Sequence, residues 1–593
     1  RTWLRPNASW INKTTFEVNS DMIRDPKGQL TMSGVDGVAI RGCSFTTTMP
    51  YTAAGIRCTT SCPQHDAVVT WNATFKLDEF KTSPTSSPIT PSNIKGFRHG
   101  VLAQSFSVSN NFSVLNTTFE KNLFGVRSNA VNSFNIKGNT FLLDNPINSA
   151  AASIGAKLEN SSMFNVYNNT FSKSLTAASP TIGVEVTNSG SGYNKVNNNT
   201  YNDLHIGNYG YKENGNGEYD ATKSEDWSTG LEFLCNTHNN NSLAIAVDGI
   251  REGGVLQHCI RRIQGSSSLP TGNKFNRSLL RFDVKNNFST SAGLNTFELS
   301  KYIYYDMAAN ENPYITSNVA KFPIGIQNQC IITETTGDGS STTGGSSSSA
   351  AATTARARLA VAYDDYSTER PTILNNALLA MESPYAEIER SLLQMQQGNV
   401  SQGLAIYNAI VGTMPLTAPE HNDFVLGGTL MRIIASRYTQ TNTPRWDSLS
   451  NSEIDSIRYV RDNTKMWAKG RACAWLSYAI GEECAIEIPQ IPEDINGNNQ
   501  RQAQDAIIDA ATAYLNIKPN PSMDYFDIVY LLDGAQDASI MVSDATGRKI
   551  VQGTLPALQK TYRINAKDWA SGVYLYQVSQ NGKNLYNGKL IKQ

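Results

Sequence analysis

Three short groups of ionisable side chains have the residue types that acid–base chemistry requires. They are His65 with Asp66, Asp203 with His205, and Asp248 with Arg251 and Glu252. Hydrolysis of a glycosidic bond needs two carboxyl groups, one to protonate the leaving oxygen and one to activate water or attack the sugar. The adjacent pair Asp364-Asp365 is isolated from these groups in the sequence. We interpret all of them as solvated loop residues. The sequence therefore predicts no catalytic, cofactor-binding or metal-binding residue.

The charge balance of the 593-residue chain gives no sign of a polyanionic partner. Its formal net charge is -1 and only 17% of its residues are charged. Nucleic-acid binders rely on an excess of Lys and Arg, so we expect no nucleic-acid partner. No apolar run is long enough to cross a bilayer. Because the chain begins at Arg1 and no signal peptide is visible, we expect a processed or truncated N-terminus.

Eight cysteines are spread thinly, and no CxxC pair is present. Zinc ribbons need such pairs, so the pattern argues against a structural zinc site. An even number of cysteines in an exported protein favours disulfides. Cys473 and Cys484 are the most plausible pair, and Cys58 with Cys62 could close another small loop.

A short phrase recurs between residues 1 and about 333: a strand, then Asn, a small residue and an aromatic. Its best copies end at Phe119, Phe141, Phe171 and Tyr201. A repeat of 20–50 residues indicates a solenoid or propeller, and propeller signatures are absent. Each repeat also has an Asn at its corner, a residue that tolerates left-handed backbone. We expect the corner Asn residues to form a ladder and the aromatics to form a buried stack.

This half resembles a right-handed parallel β-helix of the pectin-lyase-like architecture. The carboxylate motifs of the hydrolases with that architecture, and the RxPxxR of its lyases, are missing here. His99 lies among hydrophobic neighbours, and we interpret it as a packing residue rather than a base. Two hypotheses remain for this half: a non-enzymatic adhesin or structural rod, and a carbohydrate-active enzyme with a site assembled from loops. A polar face without a carboxylate cluster would favour the rod.

Residues 334–355 are almost entirely Ser, Thr, Gly and Ala, the composition of a flexible linker. Helical periodicity follows over residues 356–514. Ser383-Pro384 is a helix start, and Ser450 to Glu453 form a capping box with Leu449 and Ile454 as its hydrophobic staple. Further helices are expected at about 464–480 and 501–515. Asp447-Ser448-Leu449 and Asp455-Ser456-Ile457 fit a short bacterial O-glycosylation pattern, which makes Ser448 and Ser456 candidate acceptors.

Residues 515–593 alternate short β-rich runs with turn signals. The runs lie at 525–531, 539–543, 549–552, 561–565, 573–579 and 584–591. Asn581-Gly582 between two such runs is a strong hairpin signal. The pattern predicts a small antiparallel Ig-like sandwich that can fold as a module.

This tail also resembles the type A C-terminal sorting domain of the Bacteroidota type IX secretion system. The resemblance rests on Pro519-Asn520-Pro521, on Ile540–Ile550, on Ser571–Val578 and on Asn587–Gln593. The residues that it marks as the sorting signal are Pro519, Asn520, Pro521, Gly547, Gly572, Val573, Tyr574, Gly582, Lys589, Leu590 and Ile591.

The family implies export through an outer-membrane translocon and its shuttle barrel protein, and a cell-surface sortase that removes the tail. It implies a secreted or cell-surface location. For the body, the candidate ligand is a polysaccharide bound by the β-helix. We expect recognition to use the strand and turn surface near Gly572–Tyr574 and the terminal Lys589–Gln593, with an exposed edge strand there docking by main-chain pairing.

The predicted fold is therefore mostly β and multidomain. A parallel β-helix (1–333) is followed by the linker (334–355), an α-helical domain (356–514) and the sorting sandwich (515–593).

Overall fold

The fold is taken from a computed structural model. It describes residues 9–18, 28–47, 66–82, 88–144, 152–174, 180–215, 229–248, 259–261, 263–265, 270–276, 283–286, 302–307, 319–324, 330, 369–441, 444–485, 514–518, 520–531, 537–544, 546–556, 561–580 and 583–593. Contacts divide the chain into two units, Arg1–Phe288 with Ser300–Ile495, and Ser289–Leu299 with Asn496–Gln593. The predicted linker, Cys58, Cys62, His65, Arg251, Glu252, Asp364, Asp365, Pro519 and Gly582 lie outside the described residues. So does the helix expected at about 501–515, except for Tyr514 and Leu515, which lie in a strand and not in a helix.

The first unit begins with short strands in regular succession. The first fourteen are β1 Trp10–Asn12, β2 Thr15–Val18, β3 Leu30–Ser33, β4 Asp36–Arg41, β5 Ser44–Thr47, β6 Val68–Trp71, β7 Thr74–Asp78, β8 Ser92–Lys95, β9 His99–Gln104, β10 Phe112–Leu115, β11 Thr117–Glu120, β12 Phe124–Asn129, β13 Asn135–Lys137 and β14 Thr140–Leu143. The next fifteen are β15 Ser153–Glu159, β16 Asn165–Tyr167, β17 Thr170–Lys173, β18 Thr181–Thr187, β19 Asn194–Asn197, β20 Thr200–Asn202, β21 Ile206–Tyr211, β22 Leu231–Leu234, β23 Thr237–Asn239, β24 Leu243–Asp248, β25 Ile263–Gln264, β26 Lys274–Asn276, β27 Val284–Asn286, β28 Tyr302–Met307 and β29 Val319–Ile324.

These strands form a right-handed parallel β-helix, as predicted. Every third strand joins the same sheet. Sheet 1 runs β1-β4-β7-β10-β13-β16-β19-β22, sheet 2 runs β2-β5-β8-β11-β14-β17-β20-β23-β26, and sheet 3 runs from β3 to β27 through β6, β9, β12, β15, β18, β21 and β24. A smaller sheet joins β25, β28 and β29. All pairings in these sheets are parallel, and apart from a shift in β4 between Asp36 and Val38 their register is continuous, so equivalent residues of successive coils lie above one another.

The predicted aromatic stack is confirmed along the inner side of sheet 2. Phe119, Phe141, Phe171 and Tyr201 are buried, with ring centroids 4.8, 4.6 and 5.1 Å apart. His238 continues the stack at 4.9 Å from Tyr201. Close-packed flat rings exclude water from the coil interior, and their burial is a main source of stability for a repeat that cannot close its own core.

The predicted Asn ladder is confirmed at the corner between sheets 1 and 2. Each Asn Nδ2 donates to the next Oδ1, at 2.9 Å from Asn139 to Asn169, 2.9 Å from Asn169 to Asn199 and 3.1 Å from Asn199 to Asn236. The same Oδ1 atoms accept backbone N–H groups of the preceding coil, as Asn169 does from Asn139 at 2.9 Å. The ladder thus satisfies buried polar groups that the sharp corner would otherwise leave without partners.

Within residues 369–485, as far as the structure describes them, the chain forms six helices: α1 Arg370–Leu379, α2 Pro384–Gln396, α3 Val400–Thr413, α4 Ala418–Gln440, α5 Asn451–Asn463 and α6 Trp467–Ile480. The predicted capping box is present, because Ser450 Oγ accepts from Glu453 N and Glu453 accepts from Ser450 N. A second capping box at Thr417 and Glu420 starts α4. Both caps fix where a helix begins.

The helices pack on the turns that follow the strands of sheet 3. Phe106, in the turn after β9, stacks on Trp475 at 5.4 Å and meets the edge of Trp446. Below this cluster, Arg471 pairs with Glu389 at 2.6 Å, and Asn132 donates to the same carboxylate at 2.9 Å. Coils and helices therefore share one buried surface. Contacting residues of the two parts, such as Asn132 and Glu389, are more than 200 residues apart in the sequence.

The second unit contains an antiparallel sandwich. Its strands are β30 Tyr514–Lys518, β31 Tyr525–Leu531, β32 Ala538–Asp544, β33 Lys549–Leu555, β34 Thr561–Asn565, β35 Gly572–Gln580 and β36 Lys583–Lys592. The last six are the strands that the sequence predicts. They form a three-stranded sheet, β30-β31-β34, and a four-stranded sheet, β33-β32-β35-β36. The core between the sheets includes Phe526, Ile540, Val542, Val578 and Leu590.

Two disulfides are present among the described cysteines. One joins Cys473 to Cys484, and the other joins Cys235 to Cys330, a pairing that the sequence does not suggest. The partners of the second lie 95 residues apart, and pairing over such a distance has no local sequence signal.

Candidate functional site

The groups singled out for acid–base chemistry are used for structure where they are described. Asp66 Oδ1 lies 2.8 Å from His99 Nδ1 and also accepts the His99 backbone N–H. The His99 ring stacks on Phe124 at 5.1 Å, and burial lowers its pKa despite the nearby Asp66 carboxylate. His205 Nδ1 accepts the Thr181 backbone N–H at 3.0 Å, and Asp203 accepts from Asn240. Asp203 and His205 thus have separate partners, Asn240 after β23 and Thr181 at the start of β18.

Sheet 3 carries a charged cluster on its outer side that the sequence reasoning missed. Lys157 donates to Glu185 and lies 3.4 Å from Glu159, and Arg127 Nε lies 2.6 Å from Glu159. Thr187 donates to Glu185 at 3.1 Å. The available signal was the presence of charged residues in otherwise apolar strands, Lys157 and Glu159 in Ser153–Glu159 and Glu185 in Thr181–Thr187.

The two carboxylates of this cluster have different electrostatic environments. Burial raises the pKa of Glu185, even with the Lys157 ammonium beside it. Burial also acts to raise the pKa of Glu159, but the charges of Arg127 and Lys157 outweigh it, and the pKa is lowered. Such divergence is a feature of acid–base pairs in enzymes. Lys157 and Glu185 are, however, completely buried, and ion pairs already occupy the cluster.

The outer side of sheet 2 carries two repetitive rows of mostly polar residues over five strands, with Lys274 next in register after Thr237 and Leu142 paired with Ser172. One row consists of Thr140, Thr170, Thr200 and Thr237, in register on successive strands. Beside it, a hydrogen-bonded row runs from Ser172 through Asn202 and Asn239 to Asn276, with bonds of 3.0, 2.7 and 2.8 Å. We call these eight residues the threonine–asparagine face. Each Asn of this row donates one N–H of its side-chain amide to the preceding residue of the row, and a primary amide has two N–H donors.

Within the described ranges, no cluster of three His, Cys, Asp or Glu residues could hold a metal ion. The same ranges contain no helix with the length and hydrophobicity that a membrane span requires.

The tail sorts its predicted signal residues into core and surface. On β35 and β36, Tyr574 pairs with Leu590 and both are buried, whereas Val573 pairs with Ile591 and both are exposed. Tyr574 also donates from its hydroxyl to Ala570 O at 2.7 Å, which fixes the turn before β35.

The backbone of the last strand is covered by the chain entering the module. Asn520 Oδ1 accepts from Ile591 N and its Nδ2 donates to Lys589 O, both at 2.8 Å. Ser522 N donates to Ile591 O, and Gln593 N donates to Ser522 O, both at 2.9 Å. The expectation of a free edge strand at Lys589–Gln593 is therefore wrong. The reason is that this segment already has main-chain partners.

The remaining signal glycines and candidate acceptors lie at the surface. Gly547 is exposed at φ +87° in the turn between β32 and β33, where Asp544 accepts from Thr546 and Arg548. Ser448 is exposed before α5, and Ser456 is half-buried on α5 with its hydroxyl donating to Ser452 O at 2.8 Å.

Comparison with known families decides the role of the tail. Residues 516–593 match the model of the secretion system C-terminal sorting domain. This chain carries a type IX secretion sorting domain. It is a cargo that is exported to the cell surface or secreted. The match begins inside β30 and ends at the last residue, so it spans the sandwich. No curated protein matches the chain.

Proposed function

We propose that the protein is a surface or secreted cargo in which the sandwich is the export signal and the β-helix is a non-catalytic adhesin or structural rod. The family match of residues 516–593 carries the first part. By resemblance, the partners of the tail are the outer-membrane translocon, its shuttle barrel protein and a cell-surface sortase in a Bacteroidota host.

The export role is tested in two arms in a type IX-competent host. In the first, residues 514–593 are deleted, and the protein is expected to accumulate in the periplasm. In the second, the same residues are fused to a periplasmic reporter, which is expected at the surface. Export of the deleted protein, or retention of the fused reporter, contradicts the proposal.

The threonine–asparagine face supports the non-catalytic role of the body. Hydroxyl and amide groups repeat once per coil, at the strand spacing of about 4.8 Å, and the eight residues include no charged side chain. Such a surface is suited to a neutral polysaccharide chain, whose hydroxyls act as both donors and acceptors. Because hydrogen bonds along the row from Ser172 to Asn276 hold its side chains in place, little conformational entropy is lost on binding.

Binding to insoluble neutral polysaccharides measures this role. The double variant Thr170→Glu/Thr200→Glu is expected to lose most of the bound fraction. Asn135→Glu, on the outer side of sheet 1, is the matched control and is expected to bind normally. Equal binding by both variants removes the face from the proposal.

The second candidate is a carbohydrate-active enzyme, and the diverging environments of Glu159 and Glu185 favour it. Glu185 would serve as the acid and Glu159 as the base or nucleophile. Release of reducing ends from polysaccharides, abolished by Glu185→Gln, would support this candidate. We favour the rod because both carboxylates are ion-paired and Glu185 is completely buried.

We also propose that Ser448 and Ser456 accept O-linked glycans during export. Ser448 is exposed, whereas Ser456 is half-buried. An intact mass without added hexose-containing groups, measured on protein from the native host, contradicts this.

A further inference from the structure

The sorting sandwich has two outer faces of opposite character. On the three-stranded sheet, Arg563 pairs with Asp527 at 2.6 Å and lies over the Tyr525 ring at 4.1 Å. On the four-stranded sheet, the outward residues include a group of large apolar side chains. Soluble proteins rarely leave such groups exposed unless they bind something.

The apolar group spans three adjacent strands, with Lys589 opposite Leu575 on β36 and Gln577 opposite Met541 on β35. Val573 and Ile591 are directly opposite each other on β35 and β36, and Leu575 follows Val573 on the same side of β35. Met541 lies diagonally from Leu575 on β32, since its direct partner is Gln577. The exposed fraction is 46% for Val573, 42% for Ile591, 44% for Leu575 and 40% for Met541. We call these four residues the apolar face.

The alternation of β35 explains why the face exists. Tyr574 and Val578 point into the core, so Val573 and Leu575 must point outward. Polar residues at these outward positions would be sufficient for folding, because one side of an antiparallel sheet can face water. The choice of Val and Leu is therefore not required by the sandwich.

We propose that the apolar face is the surface by which the export machinery recognises the tail, through an apolar surface of an outer-membrane translocon protein. This rests on the export role proposed above. The match confines the sorting signal to residues 516–593, and the face lies within that module. Strand addition at Lys589–Gln593 is blocked, since Asn520 and Ser522 hold that backbone. Face-on packing needs no such displacement.

The test uses the reporter fused to residues 514–593 in a type IX-competent host. Val573→Thr/Leu575→Thr keeps β-branched or strand-compatible side chains but removes most of the apolar area. Surface reporter is expected to fall at least about tenfold, the ratio that corresponds to a loss of about 1.4 kcal/mol in binding. The reporter should then accumulate in the periplasm.

A matched pair of methionines supplies the control. Met541→Thr changes a residue of the face, whereas Met523→Thr changes one that is 64% exposed and outside it. Export is expected to fall with the first and to stay unchanged with the second. Equal export of the two, together with normal export of Val573→Thr/Leu575→Thr, overturns the inference.

Folding is followed by the thermal midpoint of the full chain carrying the same changes. If the double variant unfolds, Ile591→Thr on a different strand and Met541→Thr decide the question. Failure of the unaltered fusion to leave the periplasm contradicts the export role itself, whereas export of every variant contradicts only the face.

Two other binding partners of the apolar face, a second copy of the chain and a phospholipid membrane, would give different results. A concentration-dependent dimer of the full chain that Leu575→Thr abolishes would assign the face to self-association. Flotation with phospholipid vesicles, lost in the same variant, would assign it to the membrane. Either result, with export unchanged, overturns recognition by the translocon.

Discussion

At the scale of single residues, the interior of the β-helix shows how a repeated side chain becomes a repeated contact. Parallel, in-register pairing places each aromatic of sheet 2 over the one before it. His238 stands in this column between Tyr201 and Phe275, at 4.9 and 5.5 Å. A histidine ring can replace a Phe or Tyr ring in the stack, but it places a titratable group inside the core.

His238 is expected to make the coils sensitive to acid. Burial lowers its pKa from 6.5 to about 3. Between pH 6.5 and 3 the unfolded chain binds a proton that the folded chain does not, so stability falls as the pH falls, by about 1.4 kcal/mol per unit. His238→Phe, which preserves the stack, is expected to remove this slope while leaving stability at pH 7 nearly unchanged. Chemical denaturation at pH 7, 5.5 and 4 measures the difference between the two proteins, and parallel slopes would contradict it.

The aromatic column is also expected to carry much of the stability of the coils. Phe171→Ala removes a completely buried ring between two others and should cost about 3–5 kcal/mol of unfolding free energy. Thr170→Ala, the neighbouring residue on the outer side of the same strand, is the control and should change stability by about 0.5 kcal/mol or less. Similar losses in the two variants would show that the column is not the main source of stability.

At the scale of elements, the sequence predicts what is local or repeated and misses what is neither. The aromatic phrase and the Ser450 capping box have local patterns, so the coils and the start of α5 were predictable. The helices α1 and α3 and the strand β30 were not predicted, although Pro371 in the first turn of α1 and Asn399 at the N-cap of α3 are start signals. The docking of helices on coils was not predictable, because Phe106, Asn132 and Ser191 lie in separate turns whose proximity only the stacking creates.

The tail shows the same limit at its candidate site. The motifs identified the module, and the alternation along β35 separated inward from outward positions. The apolar face was not identified, because Met541 and Ile591 join Val573 and Leu575 only through strand pairing. The role of Asn520 was also hidden, since its partners Lys589 and Ile591 are about 70 residues away in the chain.

Docking of α6 on the coils is expected to depend on a glycine. A Cβ on Gly470 would lie 2.6 Å from Asn160 Cβ and 2.9 Å from Ala130 Cβ, closer than such atoms can approach. Gly470→Ala should therefore destabilise the unit by about 1–3 kcal/mol. Gly412→Ala, near the end of α3 with open space around it, should be neutral or stabilising by up to about 1 kcal/mol. Thermal midpoints compare the two, and a neutral Gly470→Ala would show that α6 is not held tightly there.

At the scale of the whole molecule, cargo and address are built as separate units. The coils and helices share a continuous buried surface, whereas the core residues of the sandwich come from its own strands. Separate cores allow the address to be changed or removed without cost to the cargo.

Independent cores predict independent unfolding. Scanning calorimetry of the full chain should show a large transition from the coils and helices and a small one from the tail. A chain ending at residue 513 should lose the small transition and keep the midpoint of the large one within about 2 °C, since the described core of the sandwich is built from its own strands. A large downward shift of the main transition would mean that the tail contributes to the body's stability.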